Sequence, residues 1–113
     1  MKMQSKTIKV GNRRYSVAVV DIETFNLYLH QKNIFDADVK SFVDYDEQII
    51  LIKDSLSTEL KQELLIHEIL HACLADSGIM MDDEAEKFVT MISPRVSALI
   101  SDNNLAELAK VVQ

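Results

Sequence analysis

The stretch Leu60-Lys61-Gln62-Glu63-Leu64-Leu65-Ile66-His67-Glu68-Ile69-Leu70-His71-Ala72-Cys73-Leu74 decides how this chain is read. Its apolar spacing is that of one buried helix, and it carries an H-E-x-x-H motif. At 3.6 residues per turn, His67 and His71 lie one turn apart on one face, so both imidazoles can reach a single metal ion. Glu68, next to the first of them, can take a proton from a metal-bound water without itself being a ligand, the role of a catalytic general base. The plainer alternative is a metal-free helix face with two hydrogen-bonded histidines. Two of the three histidines of the chain falling at i and i+4 around a glutamate argue against it. Ile66, Ile69 and Leu70 add the dry surround in which a metal acts strongly on a bound water.

Working outward, polar residues bound this helix. Asp54, Ser55 and Ser57 offer capping side chains before a start near Thr58, and Gly78 after Asp76-Ser77 can take the left-handed C-terminal position. Upstream, Gln48-Ile49-Ile50-Leu51-Ile52 reads as a strand rich in branched residues, and Ser41 to Tyr45 as another. Thr7 to Val10 and Tyr15 to Val20 alternate about Gly11-Asn12 and predict an N-terminal β-hairpin. Asp21 through Lys32 has a rough helical period. Downstream, a helix is expected from Asp82-Asp83 through Phe88, Val89, Ile92, Val96 and Ile100, with Pro94 kinking or dividing it. A short terminal helix, Leu105 to Val112, is expected after Ser101-Asp102-Asn103-Asn104.

The 113 residues, 48% hydrophobic, suffice for a single compact domain over 1–113 and are too few for two. A net charge of −6 and a pI near 4.9 argue against a nucleic-acid surface. Lys9, Arg13 and Arg14 form the one basic cluster, expected at a solvated hairpin tip. Cys73 is the sole cysteine, which excludes an internal disulfide, fits a reducing compartment and suggests a small core residue. Met1 to Lys6 is short and polar and no apolar run approaches membrane-spanning length, so neither a signal peptide nor a membrane span is expected and the localisation expected is cytoplasmic.

A catalytic zinc normally takes three protein ligands and keeps a fourth position open for water. No histidine follows His71, and the positions at which a metzincin pattern would place a glycine and a third histidine are Leu74 and Ser77. His30 lies far upstream and is expected at or near the surface. The remaining candidates are Glu84 and Glu86 on the next helix, an arrangement called gluzincin. Glu86 shares a stripe with Val89, Ser93 and Val96, small or branched groups suited to packing on the metal helix, and is preferred; Glu84, on the stripe of Phe88 and Ile92, is the alternative. Glutamates in a first helical turn also interact with the helix dipole, which is all the unused one need do.

The segment His67 to Ile79, with the lead-in Asp46 to Glu63, resembles the small metallopeptidase-like proteins of bacteriophages and prophages, and more distantly the ImmA/IrrE type of metallopeptidase. The likeness covers about Gln48 to Asn104. The phage-type pattern, a glutamate three residues before a valine, matches Glu86-Lys87-Phe88-Val89. The E-A-N-x-F pattern of the ImmA/IrrE type would match Glu84-Ala85-Glu86-Lys87-Phe88, with Glu in place of Asn. The resemblance implies an intracellular minimal gluzincin: an α+β, zincin-like core with the hairpin and a short antiparallel or mixed sheet packed on the H-E-x-x-H helix, and C-terminal helices.

The function expected from these parts is hydrolysis of peptide bonds in an intracellular protein, with one Zn2+ per chain held by His67, His71 and Glu86 activating a water and with Glu68 as base. The alternative is a zinc-binding interaction or regulatory module with weak or no catalysis. The strand from Gln48 to Ile52, if at the sheet edge, could pair with an extended substrate; as a core strand it could not. No Tyr or His follows His71 to stabilise an oxyanion, leaving Tyr15, Tyr28 or Tyr45 for that task.

Overall fold

Residues 4–112 are described by the computed structural model; Met1 to Met3, part of the polar N-terminal stretch, and Gln113 lie outside the described residues. The chain runs β1 (Gln4–Val10), β2 (Arg13–Val20), α1 (Ile22–Gln31), β3 (Ser41–Asp44), β4 (Ile49–Lys53), α2 (Thr58–Asp76), α3 (Asp83–Asp102) and α4 (Leu105–Val111). The four strands form one mixed sheet in the order β1-β2-β4-β3, and the fold is α+β. β1 pairs antiparallel with β2, β2 parallel with β4, and β3 antiparallel with β4. No described helix is long and apolar enough to cross a membrane.

Period-two alternation divides the strand residues between two cores. Val10, Tyr15, Val43, Ile50 and Ile52 point to one face and pack with Ala72 of α2. Ala18, Val20 and Leu51 point to the other and pack with Phe25 and Leu29 of α1. Ser41 shares its parity with Val43, so it faces α2, whereas Asp44 faces α1, where it meets Tyr28 and Lys32. Burying one such branched side chain stabilises the fold by roughly 1.5–3 kcal/mol, so the pattern specifies register as well as stability.

The sheet decides between the two readings of β4 and extends the second strand of the hairpin. β4 is an interior strand between β2 and β3, not an edge, because both its faces are apolar and covered. The edges are β1 and β3, and β3, shorter than β4 and more polar, is the one beside the motif of α2. Arg13 and Arg14 are exposed beside the Gly11-Asn12 turn, as expected of a solvated hairpin tip, but they already belong to β2, and the Arg13 guanidinium donates to the Tyr45 carbonyl (3.3 Å).

Polar side chains set the helix boundaries. The carboxylates of Asp21 and Asp82 and the hydroxyl of Ser57 accept the N–H of Thr24, Ala85 and Leu60 respectively, and Gly78 takes φ 78° after α2. Pro94 does not divide α3, which runs continuously to Asp102 and takes in part of the expected Ser101–Asn104 linker. Proline withholds a hydrogen bond there, but neighbouring carbonyls gain side-chain donors: Ser93 Oγ to Val89 O (2.5 Å) and Arg95 Nη1 to Met91 O (2.7 Å). Cys73 is exposed rather than a core residue, being one step of about 100° beyond the inward-facing Ala72. His30 is exposed at the end of α1 and stacks on Phe35.

Candidate metal centre

α2 turns one face toward β3 and α3, and the H-E-x-x-H motif lies on it. His71 and Glu68 are each 5% exposed, and His67 is half-buried. Asp82 caps α3 and places Glu86 in its first turn, opposite the two histidines. His67 Nε2 is 3.1 Å from His71 Nε2 and 3.4 Å from Glu86 Oε1, and His71 Nε2 is 2.8 Å from Glu86 Oε2. His67, His71 and Glu86 thus form a group able to hold a metal ion. Glu84 and Glu86 are both exposed, but only Glu86 belongs to this group.

The spacing suits a small divalent cation. Zinc bonds of about 2.0–2.2 Å at tetrahedral angles set neighbouring donor atoms about 3.3–3.6 Å apart, close to the 3.1 Å between the histidine nitrogens and the 3.4 Å from His67 Nε2 to Glu86 Oε1; the 2.8 Å approach to His71 is made by the other carboxylate oxygen. Two neutral imidazoles and one carboxylate are also the donor types that zinc accepts.

Glu68 stands beside the group rather than in it. Ser41 Oγ of β3 donates to Glu68 Oε2 at 2.5 Å, which leaves Oε1 as the oxygen free of this bond. Burial pushes the Glu68 carboxyl above its usual range, opposed by the Ser41 hydroxyl and the charge of His67, while the charge of Glu86 raises it further. A raised carboxyl is suited to holding a proton in transit. His71 is shifted the other way: burial and the neighbouring His67 lower it, and Glu86 opposes them. Its Nδ1 is buried with no hydrogen-bond partner among the described residues.

A cavity of about 380 Å³ opens on these groups, lined by Ser41, Phe42 and Val43 of β3, by Tyr45, and by Met81 to Asp83 at the start of α3. Of the three tyrosines, Tyr15 is core and Tyr28 is bonded to Asp44 (2.7 Å), whereas Tyr45 lines the cavity. Burial, with the charges of Glu68, Tyr15 and Glu86, raises its hydroxyl to about 12, so it stays a protonated donor at neutral pH. The motif gives no hint of Ser41 or Tyr45, which reach the site through the pairing of β3 with β4 and the turn that joins them.

No family model, curated protein or solved structure matches this chain. The functional reading therefore rests on the geometry of these side chains.

Proposed function

We propose that the protein is a zinc-dependent peptidase of gluzincin type acting on an intracellular protein or peptide. The observation that carries this reading is the meeting of His67, His71 and Glu86 at one point, beside a buried glutamate and at the foot of an open cavity. Lewis acidity toward a water and toward the scissile carbonyl is what a zinc ion bound to these three side chains supplies.

The chain's own residues do the rest. Glu68, held at Oε2 by Ser41, receives the water proton at Oε1 and returns it to the leaving amine. Tyr45 donates its hydroxyl hydrogen to the carbonyl oxygen as charge gathers there. The outer edge of β3 offers backbone N–H and C=O groups to an extended substrate, aligning it across the cavity.

A second reading, a metal-binding interaction module, draws on exposed apolar side chains along α3 and α4: Phe88, Met91, Leu99, Leu105, Leu108 and Val111. One experiment separates the two: metal content and cleavage of a peptide library by wild type, Glu68→Gln and His71→Ala. The peptidase reading expects about one zinc per chain in wild type and Glu68→Gln, none in His71→Ala, and cleavage by wild type alone, with Glu68→Gln reduced by roughly 10²–10⁴-fold. Zinc uptake with no cleavage of any peptide would leave the interaction module; no uptake of metal would overturn both.

A further inference from the structure

We infer that Ser93 is a positioning residue that fixes the tautomer of His67 and thereby turns its Nε2 lone pair into the metal centre. Ser93 is 2% exposed, on the face of α3 that packs on α2. Hydroxyls rarely occupy such a place without a partner, and this one has two. Its hydrogen goes to the Val89 carbonyl one turn back, at 2.5 Å. The same oxygen lies 3.5 Å from His67 Nδ1. A hydroxyl has one hydrogen to give, so once that is committed to Val89 the oxygen can only accept from the ring. His67 is therefore protonated at Nδ1 and bare at Nε2.

The consequence lies across the ring. The bare Nε2 faces His71 Nε2 at 3.1 Å and Glu86 Oε1 at 3.4 Å. His71 Nε2 can carry one hydrogen, and the carboxylate at 2.8 Å is its nearer acceptor. The centre then holds three acceptor atoms, His67 Nε2 and both Glu86 oxygens, against a single donor. Solvent reaches the carboxylate of Glu86, 56% exposed, so the lone pair that a cation would satisfy is chiefly that of His67 Nε2. Without Ser93, His67 could protonate Nε2 instead and donate to Glu86, filling the centre with a hydrogen bond between two of its ligands. Ser93 thus acts against a metal-free closed state.

The effect on metal affinity rests on the proposed metal centre, but the tautomer can be read without metal. Long-range ¹H–¹⁵N spectra of the metal-free, ¹⁵N-histidine-labelled protein, taken above the imidazole pKa, are expected to show His67 with its proton on Nδ1. Ser93→Ala is expected to move it toward Nε2, as is Ser93→Cys, which keeps the size but offers only a weakly accepting sulfur. Ser93→Thr is expected to retain Nδ1. Zinc affinity, from competition with a chromophoric chelator, is expected to fall about 10–100-fold in Ser93→Ala, the range seen for partners that orient ligand histidines. His67 protonated at Nε2 in wild type, or a tautomer and zinc affinity unchanged in both Ala and Cys variants, overturns the inference. A wild type that binds no zinc overturns the peptidase reading, while the spectra still decide the role of Ser93.

Discussion

At Asp44 one buried carboxylate collects four hydrogen-bond donors: the Tyr28 hydroxyl at 2.7 Å, the Lys32 ammonium at 3.0 Å and the backbone N–H of Asp46 and Glu47 at 3.1 Å each. Burial alone would raise its pKa, but the bonds from Tyr28, Glu47 and Lys32 outweigh it and hold the group at about 2, below the usual 3.8. A folded pKa below the unfolded one stabilises the fold fully above about pH 4, and that contribution disappears as pH falls toward 2. The difference amounts to on the order of 2 kcal/mol. Urea midpoints of wild type should therefore drop between pH 4 and 2, and Asp44→Asn, already weaker at pH 7, should show a flatter profile there; parallel profiles would refute the assignment. Asp44 was legible only as a turn residue, the role its bonds from the Asp46 and Glu47 N–H groups fulfil; its other two donors, Tyr28 and Lys32, come from α1 and its C-terminal cap and meet it only after folding. Ser41 gave no sign in the sequence; Tyr45 was one of three tyrosines the sequence left open and Ser93 only a member of the packing stripe of Glu86, because their contacts with the motif form only after folding. His67, Glu68 and His71 were legible because helical periodicity alone puts two of them on one face and the third beside them.

Among the elements, α3 is unusual in running through Pro94 without a break. The proline removes a donor for the Thr90 carbonyl, and a proline inside a helix typically costs about 3 kcal/mol. Pro94→Ala is expected to raise the thermal midpoint; a lower one would show that the ring packs in a way its exposed position does not suggest. At the hairpin tip Gly11 has φ 60°, and a Cβ built there falls 1.9 Å from Asp76 Oδ2 of α2. Gly11→Ala should destabilise by about 1–2 kcal/mol through the left-handed backbone alone, with more from displacing the Asp76 side chain. The Asp76→Ala background should recover only the second part, and denaturant unfolding of the four proteins of that cycle separates them. Element types followed from pattern; strand order did not. The apolar run of β4 reads the same at an edge or in the middle, and only the covering of both faces by α1 and α2 places it inside.

For the whole molecule, the candidate ligands join two helices that otherwise meet through side-chain packing and the contact of Ser93 with His67. A bound cation should stabilise the folded state by mass action, about 4 kcal/mol at a thousand times its dissociation constant. Zinc is expected to raise the thermal midpoint of wild type and of Glu68→Gln, and to leave His71→Ala unmoved; an equal rise in all three would place the metal elsewhere. The α+β architecture was legible from the order of period-two and helical segments, and the stripe that Glu86 shares with Val89, Ser93 and Val96 pointed to it as the third candidate ligand; the distances among the three groups needed the relative placement of α2 and α3, which no local pattern encodes. β3, finally, is only four residues long. At about 3.3 Å per residue its edge measures roughly 13 Å, enough to seat a few residues of an extended chain and no more. If the protein is the peptidase proposed above, such a ruler would read conformation before sequence, since helices and paired strands have already spent their backbone hydrogen bonds and could not lie along it. The proposed substrates would then be proteins with a frayed tail, a slack loop or an unfolded segment, chosen by physical state ahead of the letters around the bond to be cut.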